Sequence, residues 1–225
     1  MPTSTVENYL KQLYMEQHSS DGGRVAMGRL ATAMGVVPGT ATSMVKALAD
    51  SGLVEYEPRG GVRLTSRGEQ LALHVLRRHR LVELFLVKVL GLDWSEVHIE
   101  AESLEHAISD RVLERIDAYL GHPKTDPHGD PIPSPKGQME ETAKMNLADC
   151  AVGVEYKIAR VLDQGPEFLK FVQRRGLTPG ASVTVEQREA AAQAVKIRAG
   201  KEEVLLGLAA AGKILVEARI GGEGD

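Results

Sequence analysis

The sequence predicts a mainly α-helical chain that ends in a small all-β domain. Apolar residues recur at helical spacing in successive segments between Val6 and about Leu120. A Gly- and Pro-rich stretch at 121–138 interrupts that pattern, and from about Asp149 the chain changes to short β-like runs separated by Gly and Pro. At 225 residues there is room for one large domain or several small ones with cores of their own.

The first helix spans Val6 to Met15, with Val6, Tyr9, Leu10, Leu13 and Tyr14 on one stripe, and Asp21-Gly22-Gly23 breaks it. A short helix from Met27 to Met34 closes at Gly35. After Val36-Val37-Pro38-Gly39, a third runs from Thr40 to Asp50, with Met44, Val45 and Leu48 inward and Thr40, Thr42, Ser43 and Lys46 outward. Pro38 suits a first helical turn, where its missing N–H costs nothing. Residues 51–56 and 61–65 then flank the turn Glu57-Pro58-Arg59-Gly60 as a hairpin. Two short helices, a glycine turn and a hairpin spell a winged helix-turn-helix over residues 1–65. Its third helix would read base edges in duplex DNA, and Arg59 and Arg63 on the wing would meet phosphates. The plainer alternative is a small helical domain whose hairpin packs on something else.

Thr65 caps a long amphipathic helix that runs to about Leu90 and ends at Gly91. Asp93 and Glu96 have the spacing of a capping box, which predicts a second long helix to about Leu120. The two make a helical domain, 66–138 with its linker, and the apolar residues left over (Leu84, Val87, Leu104, Ile108, Val112) suggest a homodimer interface. Both helices carry metal-capable side chains at helical spacing. His79 and Glu83 are four apart, and His98, Glu102, Glu105 and His106 follow at steps of four, three and one. Imidazole with several carboxylates and no thiolate suits Mn(II) or Fe(II) better than a structural Zn(II). Such pairs also occur on solvated helix faces, which would leave a regulator sensing an organic ligand. A di-iron enzyme would need a Glu-x-x-His motif from each of two helices. Only Glu102-x-x-Glu105-His106 comes near, so the chain does not read as an enzyme.

Net charge is −4, which is unfavourable for a DNA binder as a whole, but the charge is unevenly spread. Residues 1–80 hold ten Lys or Arg against seven Asp or Glu, and the remainder 17 against 24, so the basic surplus falls on the predicted DNA reader. Cys150 is the single cysteine, which excludes an internal disulfide. No apolar run reaches the ~18 residues that would span a bilayer, and the first residues lack a basic and then apolar signal, so a cytoplasmic chain is expected. In the last domain, 149–220, runs at 154–161, 182–186, 195–198, 203–206 and 214–217 with a helical turn at 166–174 read as a small barrel. The linker before it lets the barrel be pictured as a separately moving unit.

Taken together the chain resembles the diphtheria-toxin-repressor family of metal-dependent regulators. The residues that carry the likeness are Glu7-Asn8-Tyr9-Leu10, Gly52-Leu53-Val54, Leu64-Thr65 with Gly68, His79-Arg80-Leu81 with Glu83, Glu102 with Glu105-His106, and the loop Asp126 to Pro133. The likeness spans about residues 4–140, and more loosely the rest, where the barrel is similar to the family's SH3-like domain. It implies an activating metal site of Asn8, Glu102, Glu105 and His106. It also implies a second site, either His79, Glu83 and His98 or, as in some manganese-type relatives, Glu83, Asp126, His128 and Asp163. Iron-responsive members carry Met and Cys where this chain has Asn8 and Glu102, and manganese-responsive ones Asp and Glu. Glu102 thus implies Mn(II), with Fe(II) as the alternative, in a homodimeric repressor of metal-uptake genes on palindromic operator DNA.

Overall fold

The computed structural model describes residues 3–19, 23–140 and 145–218. They divide into two compact units: one runs to His79 and takes in Leu104–Asp110 and Pro133–Met139, and the other holds Arg80–Ser103, Arg111–Ile132 and the chain from Glu140 on.

The first unit opens with helix α1 (Ser4–His18), capped by the Thr3 hydroxyl, which accepts from the Val6 amide at 3.4 Å. Its apolar stripe, Tyr9, Leu10, Leu13 and Tyr14, is buried as expected, and Glu7 and Lys11 are buried with it. Helices α2 (Met27–Ala33) and α3 (Pro38–Asp50) meet at a turn where Gly35 takes φ +64°, a conformation that costs glycine no steric strain. Pro38 stands in the first turn of α3, two residues before the predicted start. Strands β1 (Val54–Glu57) and β2 (Gly61–Leu64) pair antiparallel, and Val25 adds a bridge to Val62, so the wing is rooted in the helical core. Helix α4 (Ser66–Lys88) starts where the Thr65 hydroxyl accepts the Gly68 amide at 3.1 Å. A side chain at Gly68 would put its Cβ 2.0 Å from the Leu53 carbonyl, so the close crossing of wing and helix needs glycine.

Where one long helix was expected after Asp93, two short ones form: α5 (Val97–Leu104) and α6 (Asp110–Tyr119). The predicted capping box is not made. The Asp93 carboxylate instead accepts from the Ser95 amide and hydroxyl at 2.8 and 2.5 Å, and Glu96 reaches out to Lys170 at 2.7 Å. The break after Leu104 has a cause in the side chains that follow it: Glu105 is fully buried and His106 mostly so, each drawn to partners off the helix.

In the second unit, strand β3 (Met145–Asn146) precedes β4 (Glu155–Val161), helix α7 (Pro166–Arg174), β5 (Ser182–Glu189), β6 (Ala194–Ala199), β7 (Glu202–Gly207), the short helix α8 (Leu208–Ala211) and β8 (Ile214–Ala218). All five predicted strands and the helical turn are present, and β3 is an addition. The antiparallel sheet runs β3-β8-β4-β5-β6-β7, with register shifts in β4 and β5 that bend it. Among the described residues no pairing joins β7 to β3, so the expected barrel is an open, six-stranded sheet over a core of Ile158, Val161, Leu169, Val185, Ile197 and Ile214. The linker also differs from expectation. Residues 126 and 128–133 are buried, the Val161 amide donates to the His128 carbonyl at 2.9 Å, and Asp130 pairs with Arg160. That part of the linker is packed onto β4 within the unit, not a free tether.

Candidate metal centre and DNA interface

The DNA-facing prediction maps onto an exposed surface. Pro38, Thr40, Ser43 and Lys46 are exposed along α3, with Thr42 half-buried, because Ala41, Val45 and Leu48 turn the opposite face into the core. The Thr42 and Ser43 hydroxyls donate to the Pro38 and Gly39 carbonyls at 2.8 and 3.0 Å, which leaves their oxygens as acceptors toward solvent. The two wing arginines are not equivalent. Arg63 is held by the Glu55 carboxylate through Nε at 2.7 Å and Nη2 at 2.6 Å, with Arg24 Nη2 on the same oxygen at 3.3 Å. Arg59, at the hairpin tip with φ +65°, is exposed and has no polar partner among the described residues.

Two groups of donor atoms stand out. In the first unit, His106 Nδ1 lies 2.6 Å from Glu7 Oε2, and His106 Nε2 lies 2.7 Å from Asn8 Oδ1 and 3.3 Å from Glu105 Oε1. In the tautomer with Nδ1–H donating to Glu7, the Nε2 lone pair, the Asn8 carbonyl oxygen and the Glu105 carboxylate oxygen would converge as ligands for one cation. The other Glu105 oxygen lies 2.5 Å from His79 Nδ1, while Lys11 Nζ donates to Oε1 at 2.7 Å. Burial pushes the Glu105 carboxyl upward, but the His79 hydrogen bond and the Lys11 charge outweigh it and hold the group below the usual carboxylate range. Arg78 completes the shell, 3.7 Å from Glu7 and 2.7 Å from Asp110.

In the second unit, Glu83, Asp126 and His128 are buried and offer ligand atoms within 4.8 Å of one another. His128 Nε2 lies 2.8 Å from the Trp94 carbonyl, so Nε2–H donates there, and the buried Nδ1 is left with no hydrogen-bond partner. Asp126 Oδ1 accepts from the His128 and Asp130 amides at 2.8 and 2.9 Å, which fixes the loop. Burial first, then the negative charges of Asp130 and Glu83, drive the Asp126 carboxyl well above its usual range against the pull of Arg80. An orphaned imidazole lone pair beside two crowded carboxylates is a donor set suited to a divalent ion.

The remaining candidates are placed differently. His98 is half-exposed on α5, 3.1 Å from Glu83 and 3.7 Å from Glu102. Asp163 does not join Glu83, Asp126 and His128. Its carboxylate is engaged by Lys213 at 2.7 Å and by the Gly165 amide at 2.9 Å, while Asp130, unflagged in the sequence, takes Arg160 and Gln164 next to the loop. Glu7 was also missed as a site residue. The one available signal was a carboxylate one turn before Lys11 on the buried side of an amphipathic helix.

A winged helix whose first helix carries donor atoms for a cation defines a metal-responsive DNA-binding regulator. Residues 1–62 match the family described as iron dependent repressor, N-terminal DNA binding domain, residues 65–134 its metal binding and dimerisation domain, and residues 145–218 the FeoA domain. The iron-dependent repressor IdeR of Mycobacterium leprae is 30% identical over 214 residues, 90% of this chain and 92% of that one. A solved manganese-dependent transcriptional repressor in complex with manganese superposes with a TM-score of 0.85 at 39% identity, covering 95% of this chain and all of the other. The manganese regulator SloR does so at 0.74 and 33%, over 97% of this chain and all of that one. The chain belongs to the iron-dependent, or diphtheria-toxin, repressor family of metal-dependent transcriptional regulators. Its members are DNA-binding repressors and not enzymes. Among the described residues no helix is long and apolar enough to cross a membrane.

Proposed function

We propose that this chain is a cytoplasmic, Mn(II)-activated homodimeric repressor that binds palindromic operators of metal-uptake genes. The observation that carries the reading is the convergence of Asn8 Oδ1, Glu105 Oε1 and His106 Nε2, three electron-pair donors from α1 and from the break after α5. We assign these as the activating ligands, with Glu102 added by the family likeness, and Glu83, Asp126 and His128 as a second set. The other second set, His79, Glu83 and His98, stands as the alternative. A bound ion supplies positive charge and directional bonds. The chain's own residues do the rest: Glu7 holds the His106 ring, and Asn8 joins α1 to the Leu104–Asp110 segment. Because α1 and α3 share one core, fixing α1 fixes the recognition helix. An ion that favours this arrangement favours DNA binding, and DNA tightens the ion by the same factor. Fe(II) is the second reading, since the same oxygen and nitrogen donors accept it. For the homodimer, the largely apolar groove of about 420 Å³ formed by Phe85, Val112, Ile116 and Tyr119 with Arg111 and Arg115 is the face we assign to a second copy.

Fluorescence anisotropy of labelled operator DNA against Mn(II) tests the reading: binding should require the ion and fail with Mg(II) or Ca(II), which use imidazole poorly. Asn8→Asp should lower the Mn(II) midpoint by adding a charged oxygen, and an unmoved midpoint would remove α1 from the ligand set. Arg59→Ala should weaken binding to all sequences and reduce the slope of log K against log salt by about 1. Arg63→Ala should do less, because Glu55 already neutralises that side chain. A changed base preference in Arg59→Ala with an intact salt slope would contradict the phosphate assignment.

A further inference from the structure

A lysine ammonium is an unexpected group inside a cation-binding cluster. Lys11 is 5% exposed, projects from the buried stripe of α1, donates to Glu105 Oε1 at 2.7 Å and lies 3.4 Å from His79 Nδ1. A charge this deeply buried persists only when it is paired, so the contact is a built part of the cluster and not a surface accident. Its position is informative. Glu105 Oε1 is the oxygen that also faces His106 Nε2, so the ammonium and an incoming divalent ion address the same carboxylate atom. Fixed positive charge is thus present at the cluster before any ion enters: Lys11 stands against Glu105, and Arg78 lies 3.7 Å from Glu7.

We infer that Lys11 is a tethered cation built into the first donor cluster, holding the place at Glu105 and His79 that a second divalent ion would otherwise take. The cluster therefore binds one ion, and binds it more weakly than the same donors would without the ammonium, which sets the concentration at which the sensor fills. An ammonium brings one charge on a flexible stem and an ion brings two with directional bonds, so Lys11 lowers affinity without blocking the site. The inference rests on the metal-sensor reading above and concerns which residue sets its threshold.

The test counts Mn(II) on the full-length chain by equilibrium dialysis with elemental analysis, alongside a binding titration, for the parent, Lys11→Met and Lys11→Glu. Trp94, stacked on His128 at 5.4 Å between ring centroids, reports the second donor set separately by its fluorescence. Lys11→Met should bind the same number of ions as the parent with a Kd lower by about tenfold or more at the first cluster, the Trp94 midpoint unmoved. Lys11→Glu should bind one ion more per chain than the parent. An unchanged or raised Kd in Lys11→Met overturns the inference, as does an unchanged count in a folded Lys11→Glu. If circular dichroism shows Lys11→Glu unfolded, Lys11→Met decides alone. A parent that binds no Mn(II) removes the proposed function as well, whereas a parent that binds it beside an indifferent Lys11→Met removes only the role of Lys11.

Discussion

Glu105→Ala is expected to abolish Mn(II)-dependent DNA binding and, separately, to destabilise the first unit by about 3 kcal/mol or more, the usual cost of removing one partner from a buried ion pair. The carboxylate is fully buried between His79 and Lys11, so its loss removes a hydrogen-bond partner that both groups share and leaves a cavity. Adding Lys11→Met to Glu105→Ala should recover part of the stability, because the buried ammonium that lost this carboxylate goes, but none of the metal response, because the donor does not return. Urea denaturation of the single and double variants reads the first effect and operator anisotropy the second. A double variant no more stable than Glu105→Ala would mean that the broken Lys11–Glu105 pair is not the source of the loss. Metal-dependent binding that survives in either variant would move the activating site elsewhere.

The tertiary pairing of Glu105 with Lys11 and His79 shows why the candidate site was only partly legible in the sequence. Helical spacing singled out His79 with Glu83, and His98, Glu102, Glu105 and His106, because each set at those steps projects from one stripe of its own helix, and the winged helix followed from local rules: the glycine turn at Gly35, Pro38 at a helix start and the alternation around Arg59. What periodicity could not deliver was the break after Leu104. A capping pattern at Asp93 and continuous apolar spacing argue for one helix. The pull of Lys11, His79 and Glu7 on Glu105 and His106 comes from residues up to 99 positions away and wins over the local preference. The same limit applies to Asp163 and Asp130. Both are acidic residues beside the loop or near it, and only the tertiary pairing of Asp163 with Lys213 and of Asp130 with Arg160 separates them. The linker was misread for a related reason: Pro and Gly mark a stretch that leaves regular structure, not one that leaves the core.

Gly129 is the residue on which that packing turns, and Gly129→Ala is expected to lower stability by about 3 kcal/mol, the sum of a left-handed backbone strain and an overpacked contact. Its φ is +87°, and an added Cβ would stand 2.0 Å from the Ala159 carbonyl oxygen and 2.8 Å from the Arg160 Cα, both backbone atoms that no side-chain rotation can move aside. The loop must lift from β4, which strains the bond from the Val161 amide to the His128 carbonyl and the Asp130 pair with Arg160. His128 is carried on the same turn, so the second donor set should loosen with it. Thermal melting followed through Trp94 should then fall by roughly 6–12 °C, taking 2–4 °C per kcal/mol for a chain of this size. Mn(II) binding reported by Trp94 should weaken in step, while the first donor cluster, which uses none of these residues, keeps its Mn(II) affinity. An unshifted Trp94 transition in Gly129→Ala would mean that the loop is not held against β4 in solution, and the second donor set would then have to be assembled by the ion itself.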